Sequence, residues 1–337
     1  MRLALIGFGV VGQSFAEIVS AQSAELSRTY GLRPRIVAIV DSKGAAVSPG
    51  GVDLPSALRA KKDSRSLGGL GGVYREGMSA IDVIREVDCE VVVEATPSDL
   101  TKGEPGLGHV RAAMKEARHV ICVNKGPLAL AMPALIELAG HNGVIFKFSG
   151  TVGGGTPVLD LAKKCLEGCT IDSIRGILNG TCNYILTKMS SEGVDMKDAL
   201  SEAQRLGYAE ADPTADVEGL DSACKLVITS NYVLGTSMSI RDVDVTGITG
   251  VTMEDISSAA SEDKAVKLIG HVGDGARVAP ETIPLTHPLN VSGTFNAITF
   301  DTDPAGEITL VGKGAGGRET ASSVLRDLIE IRQDFAK

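Results

Sequence analysis

The stretch RLALIGFGVVGQSFAEIVSAQ, residues 2–22, decides how the rest of the chain is read. Leu3, Leu5 and Ile6 form a short apolar run suited to a buried strand, and Phe15, Ile18 and Val19 then recur at helical spacing. Between them lies Gly7-Phe8-Gly9-Val10-Val11-Gly12, a G-x-G-x-x-G pattern. Its placement between strand and helix gives it meaning. The glycines permit a tight turn and let backbone approach a pyrophosphate, while the helix start supplies unpaired N–H groups and a positive dipole end. The alternative is a glycine-rich turn that only packs a helix on a sheet.

Working outward, RPRIVAIVDSKG (33–44) and CEVVVEATPSD (89–99) read as further buried strands. HVRAAMKEARHVICVNKGPLA (109–129) reads as helix, strand and loop, and PALIELAGHNGVIFKFSGTVGGGTP (133–157) as helix, strand and glycine loop. Strands alternating with helices predict a parallel sheet in an α/β layout, with an N-terminal Rossmann-type nucleotide-binding domain over 1–148. Near residue 150 the character changes, and an α+β domain is expected over 149–311. A last strand, glycine turn and helix follow, with a C-terminal segment at 312–337.

The second strand should end near an adenosine ribose. There Asp41 suits a ribose hydroxyl, as in NAD, whereas Lys43 suits a 2′-phosphate, as in NADP. Arg59, Lys61 and Lys62 add a basic cluster that also reads as a solvated helix face. The choice between NAD and NADP stays open. EATPSD and CVNKGP sit at carboxyl ends of strands, where ligands lie in such sheets, so Thr96 is a candidate nicotinamide contact and Lys125 a candidate site lysine.

Composition excludes other classes. The 337 residues include 43% hydrophobic side chains, which excludes a disordered chain. A net charge of −9, no Trp and no basic stripe argue against a nucleic-acid or anionic membrane surface. No signal peptide or membrane span is read at the N-terminus. The six cysteines lie in apolar or helical-looking segments, as expected of reduced thiols in a cytoplasmic protein.

One stretch remains. ADPTADVEGLDSACK, residues 211–225, sets Asp212, Asp216, Glu218 and Asp221 ahead of Lys225, with Glu210 just upstream. On a helix Asp221 and Lys225 stand at i and i+4 on one face. A surface ion pair is one reading. The apolar flanks Leu220, Cys224, Leu226, Val227 and Ile228 suggest a buried helix instead, and a buried pair needs further partners or a function.

The stretch 207–225 resembles the homoserine dehydrogenase signature D-P-x-x-D-V-x-G-x-D-x-x-x-K. GFGVVG, VVVEATPSD, GEPGLGHVRAAM, VNKGPLA, GTVGGGTP, LNGTCNYIL and GKGAGGRETAS resemble that family too, in its order and across nearly the whole chain. The chain looks like a short form without kinase region or regulatory domain. The resemblance implies reversible NAD(P)H-dependent reduction of L-aspartate 4-semialdehyde to L-homoserine, in threonine, methionine and isoleucine biosynthesis. It implies that Lys225 protonates the aldehyde oxygen and that Lys125 contacts the reacting oxygen and the cofactor and shares in the acid–base work. Glu210, Asp221, Gly180 and Thr181 would bind the amino acid, Glu210 facing its ammonium. Gly316 would join the fingerprint residues, Lys43, Lys61 and Thr96 on the cofactor, which would bring the C-terminal helix of 312–337 back onto the nucleotide domain. The family builds its middle domain around a subunit interface, so a homodimer or homotetramer is expected. Some members bind Na⁺ or K⁺ through loop carbonyls, here those of Val152, Gly154 and Thr156, plus a glutamate. Ser149 stands in that glutamate's place, so weak cation binding or none is expected.

Two other classes compete. An aspartate-semialdehyde dehydrogenase would need a thiol nucleophile, for which Cys182 lies in a suitable loop, but no His is poised in the adjacent motifs. A dinucleotide sensor would keep the glycine fingerprint without needing Asp221, Lys225 and Lys125 together.

Overall fold

The computed structural model describes residues 1–335. The expected runs of Val, Ile and Leu form strands covered on both faces, as parallel sheets require. β1 (Arg2–Ile6), β2 (Arg35–Asp41), β3 (Gly44–Val47), β4 (Tyr74–Glu76), β5 (Val91–Glu94), β6 (His119–Cys122) and β7 (Phe146–Lys147) make one sheet in the order β4-β3-β2-β1-β5-β6-β7. From β2 across to β7 the pairing is parallel, and β3 and β4 extend the edge antiparallel. The connections between strands carry α1 (Val10–Tyr30), α2 (Leu54–Ser64), α3 (Ala80–Glu86), α4 (Gly106–Lys115) and α5 (Lys125–His141). α1 buries Phe15, Ile18, Val19 and Leu26 and stops at Gly31, whose φ of 58° no β-carbon opposes. Strand order reverses beside β1, so the loops after β1 and β5 meet at the sheet's carboxyl edge, where Ala95 N–H donates to Ile6 O at 2.8 Å.

Residues 152–315 form a second unit. A glycine loop leads into α6 (Val158–Asp160), which continues as a wider turn to Cys165. β8 (Thr170–Ile177), α7 (Gly180–Glu192), α8 (Met196–Arg205), α9 (Thr214–Val217) and α10 (Leu220–Val233) follow. Then come β9 (Asp244–Val245), α11 (Met253–Ser261), β10 (Lys264–Gly273), β11 (Gly275–Pro284), β12 (Phe295–Asp303) and β13 (Gly306–Lys313). The sheet runs β13-β12-β8-β10-β11-β9, antiparallel except between β11 and β9. Ile177, Ile269, Ile283, Leu289 and Ala297 form a core cluster in this unit.

The final helix, α12 (Gly317–Asp334), belongs to the first unit. Its Ala321, Val324, Leu328 and Ile331 share one core with Phe15, Val19 and Leu26 of α1. Gly317 makes the approach possible, because a β-carbon there would lie 2.5 Å from Val10 Cγ1. The units divide at Thr151/Val152 and Ala315/Gly316, where the sequence suggested 148/149 and 311/312. Ser149 stays with the first unit because its N–H and hydroxyl donate to Asp327 on α12, at 3.1 and 2.7 Å. Ala336 and Lys337, the end of the expected 312–337 segment, lie outside the described residues. Among the described residues no helix is long and apolar enough to cross a membrane.

Candidate active site

The first unit carries the glycine fingerprint. Gly7 has φ of 99°, and a β-carbon there would lie 2.5 Å from Ala95 O; one on Gly12 would lie 2.3 Å from Gly7 O. Both are fixed as glycine by the backbone itself. Gly9 differs, because a β-carbon would meet nothing within 4 Å. It caps α1 without a side-chain hydrogen bond, and Val10 beside it is 73% exposed. The first-turn N–H groups therefore stand over open space, which fits a dinucleotide pyrophosphate. The Phe8 ring is buried in the core and Val11 packs against that core, so these two offer a ligand backbone rather than side chain.

At the end of β2, Asp41 is occupied by its own chain. Oδ1 accepts the Lys43 N–H at 2.9 Å, and Oδ2 accepts Lys61 Nζ and the Leu67 N–H, each at 3.0 Å. Burial pushes this carboxyl's pKa up, but the Lys43 and Leu67 amides and the Lys61 ammonium outweigh burial and hold it below its ordinary value. Lys43's own side chain is exposed, whereas Lys61 is fixed by the ion pair. Gly316 has φ of 132° and precedes α12, and a β-carbon there would strike Glu319 Oε2 at 2.2 Å.

Thr96 and Lys125 emerge from adjacent strand ends, β5 and β6. Asn124 caps α5 by accepting the Gly126 N–H at 3.0 Å, and the Lys125 N–H donates to Ser98 Oγ at 2.9 Å. Beneath them lies a group the sequence did not single out. Glu94, fully buried, accepts both the N–H and the hydroxyl of Thr96 on Oε1, and its Oε2 is 2.8 Å from His109 Nδ1 on α4.

In the second unit the acidic stretch runs into α10, on which every residue from Asp221 to Asn231 is buried. Lys225 Nζ is 2.6 Å from Asp221 Oδ2 and donates to Leu178 O at 2.7 Å. The pair is thus buried, not solvated. Asn179 caps α7 by accepting the Cys182 N–H at 2.8 Å, and its Nδ2 donates to Asp216 at 2.6 Å and to Asp221 at 2.9 Å. That amide separates two carboxylates, a role the sequence did not reveal. Gly180 follows, where a β-carbon would lie 2.7 Å from Thr294 O, and the Thr181 hydroxyl donates to Tyr208 O at 2.7 Å. Glu210 is exposed on the 207–213 segment, its carbonyl accepting Gln204 Nε2 at 3.1 Å.

Cys182 makes a poor nucleophile. Its thiol donates to Asp216 O, and burial, with Asp216 and Asp221 nearby, pushes its pKa well above the ordinary value. In the loop expected to hold a cation, Thr156 O accepts the Val158 N–H at 2.8 Å, Gly154 has φ of 56°, and Val152 is buried. The Ser149 hydroxyl is committed to Asp327. Among the described residues no three His, Cys, Asp or Glu side chains are grouped to hold a metal ion.

A family model described as homoserine dehydrogenase matches residues 157–329. The homoserine dehydrogenase of Methanocaldococcus jannaschii is 47% identical across all of both chains. The NAD(+)-dependent homoserine dehydrogenase of Pseudomonas canavaninivorans is 37% identical over all of this chain and 97% of that protein. A hyperthermophilic archaeal homoserine dehydrogenase solved in complex with NADPH superposes with a TM-score of 0.86 at 30% identity, covering 99% of this chain and 98% of that one. A Rossmann-type sheet entered by the glycine fingerprint and full-length likeness of this degree lead to one conclusion: the chain belongs to the homoserine dehydrogenase family.

Proposed function

We propose that the protein interconverts L-homoserine and L-aspartate 4-semialdehyde with NAD(P) as hydride carrier. The observation that carries this reading is the buried Lys225, whose ammonium is held by Asp221 and Leu178 O. An ammonium has three hydrogens. Two are directed to these partners, and the third serves the substrate oxygen. NAD(P) supplies the hydride when bound. The backbone N–H groups of Gly9 to Gly12 hold its pyrophosphate, Gly316 borders it, and Thr96 faces the nicotinamide. In the reducing direction, oxygen gains negative charge as the carbonyl carbon becomes tetrahedral. Lys225 stabilises that charge and gives up its proton. Asp221 holds the ammonium in place and, with Glu210, Gly180 and Thr181, binds the amino acid. Lys125 contacts the reacting oxygen. In the oxidising direction Lys225 takes the hydroxyl proton.

The active form is proposed to be a homodimer or homotetramer in the cytoplasm. Supporting this, β13 is the outer strand of its sheet and carries Val311, which is 46% exposed. Light scattering on the purified protein reads the assembly. The function itself is tested by following reduction of NAD⁺ and of NADP⁺ separately on adding L-homoserine, with Lys225→Ala as control. Turnover that collapses in the control supports the reading. Dinucleotide binding without turnover in wild type refutes it.

A further inference from the structure

A carboxylate with no exposed surface, standing at a strand end on a ligand-facing edge, calls for a reason. Glu94 is the last residue of β5, between Ile6 and Cys122 in the sheet, and is 0% exposed. One oxygen, Oε2, faces His109, itself 8% exposed, with Nδ1 at 2.8 Å. The other oxygen takes both donors of Thr96. Thr96 Oγ1, having donated to Glu94, accepts Asn124 Nδ2 at 3.1 Å, and the same amide group donates to Pro97 O at 3.1 Å. Asn124 then caps the helix that begins at Lys125. α4 comes close to Asn124 because Gly106 lacks a side chain; a β-carbon there would lie 2.4 Å from Asn124 Nδ2. One unbroken chain of hydrogen bonds therefore runs from His109 through Glu94 and Thr96 to Asn124, and it joins the two loops that carry Thr96 and Lys125.

We propose that Glu94, His109 and Asn124 are positioning residues for the reaction: they hold Thr96 and Lys125 in register at the nicotinamide end of the cofactor. The inference rests on the proposed roles of those two residues. Its logic is geometric. Thr96 presents neither its N–H nor its hydroxyl hydrogen to a ligand, because Glu94 consumes both, so what remains toward the ligand is a fixed methyl and carbonyl surface. His109 fixes the second carboxylate oxygen and so prevents Glu94 from turning away. A neutral amide at 94 accepts only through its carbonyl oxygen and presents an NH₂ to His109 in place of an acceptor. The loop loses its fixed position while the glycine fingerprint, on another loop, remains intact.

The test uses the full chain with Glu94→Gln and His109→Phe, the latter keeping ring volume without a donor. Three readings are taken: turnover of L-homoserine, NADPH affinity by fluorescence titration, and the emission of bound NADPH without substrate. A misplaced reacting group lowers kcat by about 10- to 100-fold, while NADPH affinity stays within roughly threefold because the pyrophosphate site is untouched. Bound NADPH emission shifts in both variants. In a Thr96→Ala background, Glu94→Gln adds little, because the two act through one contact. Folded variants with wild-type kcat and emission overturn the proposal. So does a loss confined to NADPH affinity or to homoserine KM, or one that multiplies fully in the Thr96→Ala background. If Glu94→Gln does not fold, His109→Phe decides alone by the same criteria. Should wild type bind NADPH yet leave homoserine unoxidised, the proposed function fails separately, and unchanged emission in the variants is then the result that overturns the positioning role.

Discussion

Lys225→Met tests the substrate site through stability as well as activity. Lys225 and Asp221 have side chains 8% and 9% exposed and meet at 2.6 Å. A solvated i,i+4 pair would contribute only about 0.3–0.5 kcal/mol. A buried pair behaves differently, because deleting one member strands the other charge away from water, at about 3–5 kcal/mol. Asn179 Nδ2, a neutral donor at 2.9 Å, stays on Asp221, which recovers about 1 kcal/mol and places the loss near 3 kcal/mol. For a unit of this size each kcal/mol lowers the melting temperature by about 2–4 °C, so the expected drop is about 6–12 °C. Adding Asp221→Asn removes the stranded charge. The double variant should then melt above Lys225→Met alone, although it carries more substitutions. Calorimetry reads the melting, and homoserine oxidation, expected to fall at least about 100-fold in both variants, reads the chemistry. A shift under about 2 °C for Lys225→Met, or a double variant less stable than the sum of its singles, would refute the reasoning that burial makes this pair costly to break.

Other outcomes follow from the same geometry. Gly9→Ala should fold normally yet bind dinucleotide weakly, since its methyl enters the open space proposed for the pyrophosphate, whereas Gly12→Ala, 2.3 Å from Gly7 O, should lower the melting temperature as well; thermal melts and NADPH titration separate the two. Lys61→Ala leaves Asp41 at the proposed ribose site without its ion partner, so NADP⁺ affinity should fall at least about tenfold relative to NAD⁺, and equal losses for both would argue against a 2′-phosphate at this end of β2. Cys182→Ala should keep homoserine turnover within about threefold, because the thiol is buried and its pKa raised; abolished turnover would revive a thiol mechanism. Lys267, 3% exposed and held by Asn183 Oδ1 and Val291 O, is pushed by burial from 10.5 to about 8. Between those values the unfolded chain binds the proton that the folded chain has released, so stability rises as pH climbs from about 8 to 10.5, by up to about 3 kcal/mol. Denaturant unfolding should show that rise in wild type and not in Lys267→Met; identical pH profiles would refute it.

What the sequence discloses about this molecule is what short spans of chain determine. The strand, glycine turn and helix at 2–22 were legible because three local signals agree there: apolar run, φ-permissive turn and helical spacing. The Asp221–Lys225 pair was legible because helical spacing alone brings i and i+4 together. The β3 and β4 strands were not, since four residues GAAV and three residues YRE carry no period long enough to read, and pairing of β3 against β2 and of β4 against β3 creates them. Motif residues were found without their partners. Asp41 was read as a free ribose ligand, but Lys61, 20 residues on, closes over it. Glu94 lay unremarked in EATPSD, because its meaning comes from His109, 15 residues away on another element. Asn179 gains its place between two carboxylates that are 37 and 42 residues distant, and Ser149 meets Asp327 across 178. Each of these is a contact that topology creates after the local elements have formed, so no window of sequence contains it. The family motifs nonetheless enclose one end of each pair. A motif marks where side chains reach toward a ligand, and the groups that hold those side chains still arrive from elsewhere in the fold. That division is why Thr96 was a candidate from the start, while the carboxylate that fixes it required the sheet to be assembled.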